Sequence, residues 1–214
     1  MTSENLVPRQ DRYISSMNST QYWIERYRHG GTSGAGSTGR LNIFKSGLLN
    51  SIIQKYEIES VIDFGCGQGA ILELLEVNEY LGYDPSIEVI QSLKDKYSTD
   101  LSKAFEHDFK KIGRKELVIS FDVIYHLVED SVYKQYMKSL FHFSTSYVLI
   151  YSSNTNRQDS IYATAPHVKH RFFEETLPDD FTLLEKHENL FPYSPNDPEQ
   201  TSWSDFYLYM RIKQ

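Results

Sequence analysis

The sequence predicts a doubly wound α/β domain: a mostly parallel sheet with helices on both faces and an antiparallel pair of strands at one edge. Three observations carry this. Short β-rich runs alternate with stretches of helical period between residues 60 and 151, the pattern of parallel strands joined by crossovers. The first run ends in a glycine-rich turn, Asp63-Phe64-Gly65-Cys66-Gly67-Gln68-Gly69, and glycines there let the chain turn sharply and let a ligand approach the backbone. The last two runs, Phe181–His187 and Asp205–Ile212, have no strong helix between them and read as a hairpin.

Taken in order, residues 1–19 are polar and mixed and read as a loosely held arm. An aromatic and charged stretch, Tyr22-Trp23-Ile24-Glu25-Arg26-Tyr27, follows. Gly30 to Gly39 then holds five of the eleven glycines. That composition alone suits a flexible linker, but nothing before residue 20 folds by itself, so the reading taken is a glycine loop packed over a ligand. Residues 1–40 thus form an arm and lid, and residues 41–214 the main domain. Apolar residues at Leu41, Phe44, Leu48, Leu49, Ile52 and Ile53 recur at helical spacing. Ser60–Phe64 is a strand, Ala70–Val77 a helix, Glu79–Asp84 a strand and Ile87–Tyr97 a helix. A short strand is placed near Lys103–Glu106, then Glu116–Phe121 as a strand, Val132–Phe143 as a helix and Ser146–Tyr151 as a buried strand.

Composition bounds the function. At 214 residues, 40% of them apolar and 24% charged, the chain builds one real core and is neither a disordered tail nor a coiled coil. A formal charge of −7 repels a phosphate backbone, so no nucleic-acid partner is expected. One cysteine, Cys66, allows no internal disulfide, so a reducing, cytoplasmic compartment is expected. No apolar run approaches the roughly 20 residues of a membrane span, and the first residues lack a signal pattern; no membrane partner is expected. The oligomeric state is not legible.

The nucleotide-type site is the most informative part. Glycines 65, 67 and 69 give G-x-G-x-G rather than the G-x-G-x-x-G of dinucleotide sites, and no Lys-Ser/Thr of a phosphate loop follows. Asp84 ends the next strand 21 residues after Asp63, where a carboxylate can accept both hydroxyls of a ribose. His107-Asp108-Phe109 closes the third strand and offers a polar contact and an apolar wall to a base.

Together Asp63-x-Gly65-x-Gly67-x-Gly69, Asp84 and Asp108 resemble the class I S-adenosylmethionine-dependent methyltransferases. The resemblance implies a Rossmann-like seven-stranded sheet with an antiparallel last strand and S-adenosyl-L-methionine as cofactor. It implies that Gly65 and Gly67 pass beneath the methionine part, that Asp84 holds the ribose, that Asp108 lies near the adenine and that Asp63 orients the loop or reaches the amino end of methionine through water. The upstream segment Tyr22-Trp23-x-x-Arg26-Tyr27…Ser33-Gly34-Ala35-Gly36-Ser37…Arg40-Leu41 resembles a subset of small bacterial members linked to surface-sugar or secondary-metabolite pathways. Within that resemblance, Arg40 is expected to meet the methionine carboxylate.

Side chains just after the fourth strand commonly border the methyl group in this fold. Here they are Phe121, Asp122, Tyr125 and His126. His126 is the first choice of general base, oriented by Asp122 or Glu129. His167 and His170 form an H-x-x-H followed by Arg171; with no third ligand evident, substrate contact is favoured over metal. His126 and His170 are therefore the candidate catalytic residues, with Tyr22, Tyr125, His167 and Arg171 as candidate substrate contacts. The Asn/Asp-Pro-Pro-Tyr/Phe sequence of enzymes that methylate DNA bases is absent, Ser120-Phe121-Asp122-Val123 standing in its place. The expectation is an O-methyltransferase acting on a small-molecule or glycan acceptor. The alternative is a cofactor-binding regulatory or partner protein without catalysis.

Overall fold

A computed structural model describes residues 18–157 and 165–212. The arm expected over the first residues lies almost wholly outside the described part. Seven strands form one sheet in the order β3-β2-β1-β4-β5-β7-β6, with β1 Ser60–Phe64, β2 Glu79–Tyr83, β3 Lys103–Glu106, β4 Lys115–Phe121, β5 Ser144–Ser152, β6 Phe181–His187 and β7 Asp205–Arg211. β1 pairs in parallel with β2 and β4. β7 runs antiparallel to both β5 and β6, so it is wedged between them and β6 forms the edge.

Among the described residues four α-helices accompany the sheet: α1 Ser19–Arg28, α2 Gly39–Lys55, α3 Ile87–Lys96 and α4 Asp130–Phe143. The strand period of two assigns side chains to faces. Ile62, Phe64, Val118 and Ile150 pack with Met137 and Leu140 of α4. Val61, Leu117, Ile119 and Leu149 pack on the opposite side with Leu49, Ile52 and Ile53 of α2. α3 buries Val89, Ile90 and Leu93 against Tyr80 and Phe105, with its first turn capped by Ser86 Oγ accepting from Val89 N–H.

One expected helix does not form. Residues 70–74 are consecutive turns rather than a helix over Ala70–Val77. The carbonyls of Ala70 and Leu74 accept instead from Asn42 Nδ2 and Asn50 Nδ2 of α2, at 2.9 and 2.7 Å, and the Glu76 N–H donates to Asn50 Oδ1. The apolar residues keep their helical spacing, but a neighbouring helix has taken backbone groups that the helical ladder would use. Among the described residues no helix is long and apolar enough to cross a membrane.

Candidate functional site

The carboxyl ends of β1, β2 and β4 open into a cavity of about 470 Å³. Its floor is the turn after β1. Gly65 has φ +83°, and a Cβ there would stand 2.6 Å from Val123 Cγ2. Gly67 has φ +49°, and its Cβ would meet Ser33 Oγ at 2.5 Å and the Tyr27 hydroxyl at 2.8 Å. Only glycine satisfies both the backbone conformation and the space.

Asp84 lines the cavity and is tied into the loop, accepting from Gly67 N–H at 3.1 Å and Ser86 N–H at 3.0 Å. Burial raises its carboxyl to about 6, against the pull of those two donors. Tyr83 and Phe109 supply apolar walls beside it. Asp63 and Asp108 do not line the cavity. Asp63 lies beneath the floor, accepting from the Tyr80 hydroxyl at 2.9 Å, its carboxyl raised to about 7 mainly by burial. Asp108 is spent on its own turn, accepting from Lys110 N–H.

The roof comes from the N-terminal segment. α1 is anchored by Ser19, whose N–H donates to Glu129 Oε1 at 3.0 Å and whose Oγ accepts from Val128 N–H at 2.9 Å. Trp23, Tyr27, Ser33 and Ser37 then line the cavity. Tyr27 and Ser33 share a hydrogen bond of 3.0 Å directly over the glycine turn, and Gln68 exchanges two longer ones with Ser33.

His126 and Asp122 stand together in the wall after β4, without touching in the way the sequence suggests. Glu129 is occupied by Ser19, and Asp122 binds Lys45 Nζ at 2.6 Å and the Tyr125 hydroxyl at 2.8 Å. The partner of His126 is the carbonyl of His167, 3.2 Å from Nδ1. A carbonyl only accepts, so Nδ1 carries the proton and Nε2 keeps its lone pair. Burial lowers the imidazole to about 4, so it is neutral at physiological pH. Asp122 has φ +60°, a left-handed conformation that a short polar side chain tolerates at some cost and that gathers at functional sites.

The remaining predicted residues serve the scaffold around this cavity. His167 is stacked between Tyr22, at 4.7 Å, and His126, at 5.4 Å, and neither Tyr22 nor His167 lines the cavity. Tyr125 is turned to Asp122. His170 Nδ1 pairs with Ser153 Oγ at 2.6 Å, and the residue sits at a separate hollow. Arg171 donates to the carbonyls of Leu127 and Val128 and to Asp130, leaving its fork on the scaffold. Arg40 donates to the Gln200 carbonyl and Asp197 and covers the Phe191 ring; pairing with a residue 157 positions away draws it from the cavity. Among the described residues no group of three His, Cys, Asp or Glu could hold a metal. Lys45 is the residue the sequence reading missed.

The cavity combines apolar walls with two carboxylates. It offers a backbone cradle, a carboxylate at the end of β2, aromatic walls and a second carboxylate after β4. Residues 39–182 match the family described as methyltransferase domain. No curated protein matches the chain. Among solved structures, the N-methyltransferase NodS from Bradyrhizobium japonicum WM9 in complex with S-adenosyl-L-homocysteine superposes with a TM-score of 0.68 at 13% identity, covering 92% of this chain and 100% of that one. Magnesium protoporphyrin IX methyltransferase from Synechocystis PCC 6803 with bound S-adenosyl-L-homocysteine gives 0.59 at 14% identity, covering 94% and 98%. At such identities the likeness is one of fold.

Proposed function

The chain belongs to the methyltransferase-domain family, and from that premise we propose that it transfers a methyl group from S-adenosyl-L-methionine to the hydroxyl of a small polar acceptor, such as a sugar or a related metabolite. The chain is an S-adenosylmethionine-dependent methyltransferase; the acceptor is the proposed part. Its cofactor, when bound, supplies a methyl carbon already activated by a positive sulfur. The residues present fit that group: Asp84 would accept from the ribose hydroxyls, Gly65 and Cys66 would lie under the methionine portion, and Tyr83 and Phe109 would flank the base.

The observation that carries the hydroxyl reading is the orientation of His126. Its Nδ1 proton is held by the His167 carbonyl, so the Nε2 lone pair is available for the acceptor's proton in the cavity wall. A neutral imidazole with a low proton affinity positions that hydroxyl more than it ionises it, and alignment of reactants supplies much of the acceleration in displacements of this kind. Residues 19–37 act in this reading as a lid that excludes water. The alternative, a cofactor-binding protein without catalysis, would leave the His126 lone pair without a task.

The test is transfer of label from S-adenosylmethionine to candidate glycosides and other hydroxylated metabolites, alongside calorimetric titration with S-adenosylhomocysteine. Binding with transfer abolished in His126→Phe supports the reading. Transfer undiminished in that variant removes His126 from the reaction.

A further inference from the structure

Tyr22 and His167 do not line the cavity, yet both bear on an imidazole that does. The Tyr22 ring, carried by α1, stacks on the His167 ring with centres 4.7 Å apart and planes 15° from parallel. His167 stacks in turn on His126 at 5.4 Å and 18°. Three segments, α1, the turn 165–169 and the chain just after β4, thus contribute one ring each to a column that ends on His126. Trp23, beside Tyr22 on α1, meets His126 edge to face at 4.9 Å. α1 is itself fastened through Ser19 to Val128 and Glu129, so the same short stretch of chain carries the imidazole and the anchor of the helix packed on it.

The column also bears on the proton of His126. A histidine left to solvent favours the proton on Nε2, and the opposite tautomer needs an acceptor held at Nδ1. That acceptor is the His167 carbonyl at 3.2 Å, the long end of the range for such a bond. By itself it is a weak restraint. The turn that carries it is also tied to the wall where Lys169 N–H donates to the Tyr125 carbonyl at 2.7 Å. Near His167 the packing of Tyr22 does the holding. Rings stacked face to face resist the rotation of the imidazole that would carry Nδ1 away from the carbonyl.

From this geometry we infer that Tyr22 and His167 are positioning residues for methyl transfer: docked α1 holds Tyr22 on His167, and His167 holds its carbonyl against His126 Nδ1, so that Nε2 keeps its lone pair while α1 is in place. The inference deepens the methyl-transfer reading above and rests on it for the task of Nε2. Both residues act through His126. With α1 undocked, the imidazole loses its stacked neighbours and reverts toward the tautomer that carries the proton on Nε2, which cannot accept one from a hydroxyl. Covering the cavity and setting the proton of His126 are then one event.

The test is NMR of the full chain with isotope-labelled histidine ring nitrogens, whose shifts report which nitrogen carries the proton without any acceptor present. At about pH 8 both imidazoles are neutral, burial having lowered each. The His126 signals are assigned by their loss in His126→Phe. In wild type the Nδ1–H tautomer is expected to make up at least about nine-tenths of His126. His167→Ala keeps the backbone carbonyl and removes the ring; there, and in Tyr22→Leu, the Nε2–H form should rise to at least about a third. His167→Phe and Tyr22→Phe restore a stacked ring and should restore the wild-type spectrum. His167 is only partly buried, so its truncation leaves a folded protein even if that of buried Tyr22 does not, and unchanged sheet amide shifts check this. A wild-type proton on Nε2, an unmoved tautomer in His167→Ala, or the same loss in His167→Phe as in His167→Ala would each overturn the inference. Methyl transfer surviving in His126→Phe would instead overturn the reading of Nε2, an outcome that the tautomer measurement does not share.

Discussion

Lys45 Nζ lies 2.6 Å from Asp122 Oδ2, and 3% of the lysine side chain is exposed. A cation on the buried face of α2 thus fixes the carboxylate that borders the cavity after β4, while the other carboxylate oxygen accepts from Tyr125. The pair holds Asp122 at a backbone conformation that few residues adopt. Removing the cation leaves a carboxylate short of its partner, a change that costs about 3–5 kcal/mol when both groups are fully buried. Asp122 is 18% exposed at the cavity wall, so water recovers part of this. Lys45→Met is expected to lose about 2–3 kcal/mol in urea denaturation. The double variant Lys45→Met with Asp122→Asn should recover most of that loss, and simple additivity of the two single effects would show that the pair is not energetically coupled.

Asp84 links the glycine turn to the first turn of α3 through its two backbone acceptances. Replacing it with Ala removes the carboxylate proposed to meet the ribose and also frees the Gly67 N–H. Leaving buried donors unpaired costs about 1–3 kcal/mol, and S-adenosylhomocysteine affinity is expected to fall roughly ten- to a hundredfold. Circular dichroism should show the sheet retained. Unchanged affinity in calorimetry would remove Asp84 from the cofactor site.

The same carboxyl sets a pH dependence. Its acid form, favoured by burial, persists up to about pH 6, and only the ionised form accepts from two ribose hydroxyls. Affinity for S-adenosylhomocysteine should therefore hold above pH 7 and fall below about 6, approaching tenfold per pH unit in the limit. His126 stays neutral until about pH 4 and does not mask this window. Calorimetry at several pH values in wild type and Asp84→Asn checks it; the dependence should vanish in the variant.

Asp63 shifts stability in the ligand-free protein. Its folded carboxyl is raised to about 7 by burial, so between the unfolded value and 7 the folded state binds more protons than the unfolded one. Stability from this group is present at low pH and lost as pH rises through about 7. Asp63→Asn keeps an acceptor for the Tyr80 hydroxyl without the charge. Relative to wild type it should gain stability at pH 8 compared with pH 5, as read from thermal unfolding. An unchanged difference across that range would mean that Asp63 titrates as an exposed acid.

The strands and the glycine turn were legible because apolar runs and positive-φ glycines act locally. The strand Phe181–His187 lies where its residues indicate. The turns at 70–74 were not legible, because Asn42 and Asn50 act across 28 and 24 residues. The pairing of Arg40 was not legible for the same reason, its partner Asp197 lying far along the chain. Lys45 did leave a signal. It stands four residues from Leu41 and four from Leu49 on the buried stripe of α2, and a lysine interrupting an apolar stripe calls for a buried acid.

The contact of Tyr27 and Ser33 with Gly67 gives the last prediction. In Gly67→Ala the new methyl group would lie 2.5 Å from Ser33 Oγ and 2.8 Å from the Tyr27 hydroxyl, distances no real Cβ tolerates. Tyr27 and Ser33 sit on the N-terminal segment, whereas Gly67 is fixed between strands, so the segment is the part that yields. Hydrogen exchange and protease cleavage should rise across residues 30–39 while the sheet keeps its protection. Tyr27→Phe removes only the shared hydrogen bond with Ser33 and should raise exchange less. If lid closure shields the site, S-adenosylhomocysteine should restore protection in Tyr27→Phe and not in Gly67→Ala. Equal protection of residues 30–39 in wild type and Gly67→Ala, with and without that compound, would show that the segment is a tether and closes nothing.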